Sequence, residues 1–509
     1  MSVSFARGSA AALFLVFSSQ SAFADLTADE VWADWKAYLS STGYSVTATE
    51  DRSGATLTLS GLTMEMPLPE EDGSLTMTMG DLSFSENGDG TVSVQLPANM
   101  PVNAIVTGDD VDGTLKIQVL VSHDGSPMMV SGDASEMTYD YATQSLGINL
   151  DRVSMDGEEM PAGVLDAKVE FANLNSKSIM RTGTTRGYDQ SMSADSLSYQ
   201  AQFADPEGSD NGQLNGSLQG MTYEGTSTIP EDFDASNAAS LFTSALGGSA
   251  RFAYTGGQSS ASGSGDGESF GFESSSQGGS FDVALKDGGF SYALLQNQTN
   301  ISVTSSDLPF PLSLSMAEAG FNLAFPLAQS ADEQDFAMGV TLRDFAVPDM
   351  LWGMVDPTGV LPRDPASIVL DMAGKAKVLV NIFDEDELEK VEDGEVMPGE
   401  LNALTIRELL VSAAGTELTG TGDFTFNNAD LATYDGLPAP AGAINLTLKG
   451  ANGLIDGLIK MGLLAEQDAM GARMMMGMFG VPGDGEDTLN SEIKFTEDGQ
   501  ILANGQRIK

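Results

Sequence analysis

From Tyr44 onward the chain places hydrophobic residues two apart, with Thr, Ser or another polar residue between them. Thr56-Leu57-Thr58-Leu59, Leu75-Thr76-Met77-Thr78-Met79, Thr91 to Leu96 and Leu115 to Val119 all follow this rule. A period of two is what a β-strand with one buried and one wet face requires. Between these runs lie turn signals. Asp-Gly occurs twelve times, starting with Asp72-Gly73, Asp89-Gly90, Asp112-Gly113 and Asp124-Gly125, and Asn-Gly adds Asn87-Gly88 and Asn211-Gly212. Such pairs accept the positive φ of tight hairpins, so the pattern predicts neighbouring strands paired antiparallel as a meander.

The period persists along the chain. Residues Thr255 to Ser280 are dominated by Gly and Ser, yet Phe270 and Phe272 keep the alternation, which predicts small-residue strands in preference to a linker. Phe281 to Leu285 and Phe290 to Leu294 resume it across Asp287-Gly288. Leu404 to Ile406, Leu409 to Val411, Glu417 to Gly420 and Phe424 to Phe426 read as a further meander, and Ile444 to Leu448 as one more strand. Ile493 to Phe495 and Ile501-Leu502, joined through Asp498-Gly499, form a last hairpin, and Asn504-Gly505 adds one more turn.

A helical period replaces it in three places. Thr27 to Leu39 opens with a capping box, Thr27 and Glu30, sets Val31, Trp35, Tyr38 and Leu39 on one face, and stops at Gly43. Trp32 and Trp35 on it are expected to anchor the helix over the end of a sheet. Ser236 to Leu246 predicts a short helix ending at Gly247-Gly248, and Leu454 to Phe479 a longer helical region. The fold class expected is all-β: an elongated, curved antiparallel sheet rich in hairpins, with a few covering helices. A soft boundary near residue 235 separates 25–235 from 236–509, unless the two form one continuous sheet.

The first 24 residues are different. Arg7, the eight-residue apolar run Ala10 to Phe17 and Ala22-Phe23-Ala24 have the order of a signal peptide, with cleavage expected after Ala24 and export to the periplasm or beyond. Eight residues fall far short of the roughly 20 that span a bilayer, so no transmembrane segment is expected in the mature chain. An outer-membrane barrel is disfavoured by the 7 % aromatic content and the charged last strand.

Charge and chemistry narrow the function. The net charge is −50, which repels nucleic acid and attracts cations or basic partners. There is no cysteine, hence no disulfide framework and no thiolate chemistry. Histidine occurs once, at His123, beside Asp124-Gly125, where a turn role is expected. No catalytic, metal or cofactor motif stands out. With 73 acidic residues a two-carboxylate hydrolase remains an alternative, but abundance hides its location. Ser85-Glu86-Asn87-Gly88-Asp89-Gly90 mimics a calcium loop but has Ser first and Leu96 where the closing Glu belongs, so it reads as a turn. Gly263 to Gly267 has the flavour of a calcium β-roll without its repeats. A calcium-dependent surface protein is the third alternative.

Methionine is the residue that most suggests binding. Of 26, Met470, Met474 and Met478 lie four apart in the last helical region, with Met475 and Phe479 widening the face. Flexible thioethers adapt to irregular apolar ligands or partners. These five residues are the apolar-contact candidates; the competing reading is that they cover the sheet as core.

Asp25 to Trp32, the strand pairs after Tyr44 and Leu361-Pro362-Arg363-Asp364-Pro365-Ala366 resemble an uncharacterised family of exported alphaproteobacterial proteins, the domain of unknown function 2125 (DUF2125). That resemblance implies no activity. Leu404 to Phe426 is more weakly similar to the AsmA-like envelope proteins, which implies a curved sheet enclosing an apolar groove for lipid. Together these readings give a non-enzymatic, exported binder of a lipid-like ligand or of an envelope partner.

Overall fold

The computed structural model describes residues 25–68, 73–108, 113–206, 208–230, 246–286 and 288–509. The expected signal peptide, the helix expected over most of Ser236 to Leu246 and the expected boundary near residue 235 fall outside them.

Helix α1 (Ala28–Ser41) starts as its capping box dictates: the Glu30 amide donates to Thr27 Oγ1, and the Glu30 carboxylate accepts from the Thr27 amide. It leads into β1 (Ser45–Ser53), β2 (Thr56–Pro67), β3 (Ser74–Met79), β4 (Leu82–Glu86), β5 (Val92–Gln95), β6 (Asn99–Gly108), β7 (Gly113–His123), β8 (Met128–Asp133), β9 (Glu136–Met155) and β10 (Glu158–Glu159). A middle sector follows: β11 (Leu165–Arg181), β12 (Thr185–Ala204), β13 (Asn211–Pro230), β14 (Gly247–Tyr254), β15 (Gly256–Gly265), β16 (Glu268–Ser276), β17 (Gly279–Lys286), β18 (Gly289–Ser305), β19 (Leu312–Pro326) and β20 (Gln334–Phe345). The last sector holds α2 (Asp349–Val355), β21 (Ala366–Val378), α3 (Glu385–Glu392), β22 (Gly399–Ala413), β23 (Thr416–Asn427), β24 (Ala439–Lys449), α4 (Ala451–Lys460), α5 (Glu466–Phe479), β25 (Val481–Pro482), β26 (Thr488–Phe495), β27 (Ile501–Ala503) and β28 (Gln506–Arg507).

All these strands join one antiparallel sheet, but it is not a plain meander. Strand β2 is long enough to carry β4 on its first half and β3 on its second, so the two-residue link Gly80-Asp81 joins strands that lie end to end. Two half-width tracks, β3–β6–β7 and β4–β5–β8, then rejoin on β9. The same happens where β13 carries β14 and β15, which lead through β17 and β16 to β18. From β18 to β24 each strand pairs with the next, and β26 and β27 continue the sheet. The Gly- and Ser-rich stretch is therefore strand, as its phenylalanines indicated. Asn211-Gly212 opens β13 instead of making a turn, and Gly247-Gly248 opens β14. Leu404 to Val411 lies in one bulged strand, and Glu417 to Phe426 in one strand without a bulge of its own. The last helical region breaks into α4 and α5.

The N-terminal sector curls. Helix α1 touches β1 through Trp32 Nε1–H donating to Glu50 (2.6 Å), and β12 through Arg186, which pairs with Asp34. Seven strand steps separate β1 from β12, roughly 34 Å if the sheet were flat, while a helix with side chains is about 10–12 Å wide. One helix reaches both only because the sheet wraps around it. The core inside joins Val31 and Trp32 to Leu57, Leu59, Phe84, Val92, Val94, Val130, Met137 and Met180. The buried face of α1 is thus Ala28, Val31, Trp32 and Asp34; Trp35 packs against it edge-on to Phe84, whereas Tyr38, expected on that face, is 41 % exposed. The wrapped sheet reaches further round the helix than one flat face would.

A crease crosses the middle sector. Asn173 (φ 49°), Gly220 (φ 56°), Gly278 (φ 107°), Gln298 (φ 48°) and Asp344 (φ 52°) all adopt left-handed backbone, and the register aligns their positions across β11 to β20. The breaks between β14 and β15 and between β16 and β17 fall on the same line. At the β9 end the Asp124 carboxylate accepts from the Gln144 amide (2.9 Å), and that bond with the Ser126 amide holds its pKa far below the usual carboxylate range. Gly278 is buried, and a Cβ there would come within 2.7 Å of the Tyr254 carbonyl. Gly278→Ala should therefore cost about 1–3 kcal/mol, read as a lower urea midpoint; an unchanged midpoint would mean the crease is not under such tight constraint.

Candidate functional site

The register fixes which side chains share a face, because residues paired across antiparallel strands point the same way. One such row runs Tyr141, Ser176, Met192, Tyr223, Phe252, Phe281, Leu294, Phe321, Val340, Leu370, Leu409 from β9 to β22. Ser176 is its single small polar member. A neighbouring row runs Ala319, Leu342, Ile368, Val411, Leu418, Leu448, Leu489 from β19 to β26. The crease does not interrupt this face: Leu174, Ala194 and Met221 on one side cluster with Phe171, Leu197 and Leu218 on the other. A left-handed residue in β11, β13, β18 and β20 shifts the alternation by one at the crease, so the apolar side chains stay together.

At its N-terminal end the face merges into the closed core around α1 through Met137, Met180 and Tyr188. At the other end α5 is tied down over it: the Phe479 carbonyl accepts from Ser491 Oγ (2.7 Å) and Asn504 Nδ2 (2.8 Å). Between these ends it is open. In strands β11 to β22 the large hydrophobics that remain exposed are Leu165, Phe203, Leu214, Phe270, Leu294, Phe321, Met338, Val340, Ile368 and Val411, each 37–54 % exposed. By register all ten lie on this one face. Aromatic contacts stiffen its floor, with Phe281 on Tyr292 and Tyr292 on Phe321 at ring-centroid distances of 5.2 and 6.0 Å. Monomeric soluble proteins rarely expose contiguous apolar patches above a few hundred Å² without a partner for them.

The opposite face is mainly polar, with Leu295, Val369 and Leu410 among its few large apolar residues. It carries the ion pairs Arg251–Asp282 (3.1 Å) and Arg343–Glu408 (2.9 Å). A broad depression of about 1000 Å³ on the other side of the crease is lined by Gln200, Asn215, Gln258, Glu273 and Asn300 among others. The contrast between the two faces, and not the size of a hollow, is what distinguishes the site.

The residues singled out from sequence fare differently. Met470, Met474, Met475 and Met478 stand on α5 with 73, 73, 57 and 57 % of their surface exposed, and Phe479 is half-buried. In α5 only Ala469 is buried, so the four exposed methionines do not cover the sheet as core. His123 was expected in a turn but is the last residue of β7, paired with Leu146; its Nδ1 accepts from the Gly125 amide of the loop that follows, so Nε2–H donates to the Pro97 carbonyl. Asn87 and Asp89 of the calcium-like stretch spend their side chains on Thr91 and Ser93 inside the β4–β5 turn. Asp266 and Gly267 form the β15–β16 turn with φ of 52° and 84°. Among the described residues no three or more His, Cys, Asp or Glu gather as a metal would require. The carboxylates whose titration is displaced, among them Glu50, Glu86, Asp133, Asp356 and Asp430, are all lowered, chiefly by hydrogen bonds from side chains or turn amides. A general acid needs the reverse.

Sequence reasoning missed Phe321, Val340 and Ile368. Their strands, β19 to β21, set small residues such as Ala324, Gly339 and Ala373 on the polar face, which blunts the alternation that would have marked them. Among the described residues no helix is long and apolar enough to cross a membrane. Residues 242–505 match a family model described as "Uncharacterized protein conserved in bacteria (DUF2125)". No curated protein matches the chain.

Proposed function

The chain belongs to the bacterial DUF2125 family, and since that membership assigns no chemistry, we propose from its surfaces that it is a non-enzymatic binder of a lipid-like ligand. The observation that carries this reading is the open apolar face from β11 to β22, on which every exposed large hydrophobic of those strands lies. A site of this form suits an elongated apolar molecule. The face crosses strand after strand at about 4.8 Å per step with no charged residue in its principal row, so acyl chains can lie along it without desolvating a charge. Burial of apolar area then supplies the affinity, at roughly 25 cal/mol per Å² before the cost of association.

In this reading the N-terminal segment is a signal peptide cleaved after Ala24, and the protein works in the periplasm. The closed core around α1 anchors one end of the sheet, and the middle sector holds the ligand. An envelope protein with a matching apolar surface is the alternative occupant. The test is native mass spectrometry, with organic extraction, of the mature chain purified from its own periplasm. A stoichiometric apolar adduct is expected. A clean apo mass under gentle conditions would overturn stable lipid carriage.

A further inference from the structure

Helix α5 shows solvent an arrangement that neither core packing nor the open sheet face accounts for. Met474 is 73 % exposed, and Met475 and Met478 are each 57 % exposed. They occupy positions i, i+1 and i+4 of a 14-residue helix. Positions three and four apart on a helix have Cβ atoms about 5–6 Å from one another, so the three side chains mark the corners of one small triangle. Methionine has three rotatable bonds and a polarisable sulfur, and can turn its thioether inward from each corner. Met470, 73 % exposed, stands one turn before Met474.

The one cation interleaved with these residues is drawn away. Arg473 donates to Asp456 (2.6 Å) and Asn452 (3.1 Å) of α4, which leaves the methionine triangle free of a competing positive charge. We propose that Met474, Met475 and Met478 form a thioether site for a soft monovalent metal ion, Cu(I), with Met470 as an additional ligand. Thioethers select Cu(I) over the harder divalent ions. The chain's net charge of −50 raises the local concentration of any cation. Cysteine is absent from the chain, and both ring nitrogens of His123 are hydrogen-bonded, which leaves thioethers as the soft ligands. Binding needs no change in oxidation state and no proton release, since a thioether is neutral.

The full chain is titrated with Ag(I), a redox-inert surrogate, and with Cu(I) under anaerobic conditions against a chromogenic Cu(I) chelator. One equivalent of tightly held metal is expected. The variant carrying Met474→Leu, Met475→Leu and Met478→Leu keeps the bulk and apolarity of α5 and removes only the sulfur, so it should fold normally and bind at least about tenfold more weakly. Met354→Leu, at a methionine 71 % exposed on α2, should bind as the parent does. Equal metal affinity in the triple variant, or no metal retained by the parent, would overturn the proposal. Retention of a lipid adduct by the triple variant separates this site from the apolar face.

Discussion

Replacing Asp34 with alanine is expected to destabilise the wrapped N-terminal sector by about 3–5 kcal/mol, the usual consequence of stripping one partner from a buried ion pair. The Asp34 side chain is 7 % exposed and that of Arg186 14 % exposed, and the two are paired. Tyr139 donates its hydroxyl to the same carboxylate at 2.5 Å, and Arg186 also reaches the Asp34 carbonyl (3.2 Å) and the Tyr188 hydroxyl. Burial pushes the Tyr139 phenol well above its ordinary pKa, so it is a donor at neutral pH. In Asp34→Ala the guanidinium is left without its counterion inside a closed core. The double variant Asp34→Ala with Arg186→Met should recover a large part of the loss, because an apolar side chain leaves no uncompensated charge. Trp32 and Trp35, both on α1, report the transition by fluorescence in urea. A single-variant loss under about 1 kcal/mol would show that water, and not the core, surrounds this pair.

The second expected result concerns the open face. Phe321 and Asn322 are consecutive in β19 and point to opposite sides of the sheet, Phe321 within the apolar row and Asn322 on the polar face. Phe321→Asp should lower lipid occupancy by more than tenfold: it removes a side chain whose full burial is worth about 1.5–3 kcal/mol and puts a carboxylate where an acyl chain would desolvate it. Asn322→Asp adds the same charge one residue away and should leave occupancy unchanged. Because Phe321 is already 38 % exposed, its replacement leaves the fold in place. The comparison is made by native mass spectrometry and by extraction of the copurified apolar fraction. Equal loss in both variants would point to charge acting at long range and against contact on the face.

Much of the architecture was legible because it is set locally. The capping box of Thr27 and Glu30 forms as the residues indicate. Asp156-Gly157, Asp435-Gly436 and Asn504-Gly505 adopt paired positive φ values of 53° and 84°, 52° and 97°, and 47° and 80°, as those residue pairs permit. Other signals were overruled by what lay beside them. The link Gly80-Asp81 is as short as a hairpin turn, yet β3 and β4 never pair, because β2 offers each of them half its length. Asp456-Gly457 repeats the hairpin signal inside α4, where Gly457 is buried against Leu361.

The two amphipathic helices show the division most clearly. Their spacing determines that α1 and α5 are helices, and which residues share a face of each. Nothing in that spacing states what a face will meet. Around α1 the sheet curls until Val31 and Trp32 are buried; α5 is fixed by its Phe479 carbonyl and leaves Met470, Met474, Met475 and Met478 in solvent. The sequence by itself determined the all-β class and many of its strands and turns, because backbone dihedrals and one-sided burial follow from residues a few positions apart. Only the tertiary structure decided that the sheet closes at one end and stays open in the middle, since covering a face depends on partners more than a hundred residues away, as Asp34 and Arg186 are.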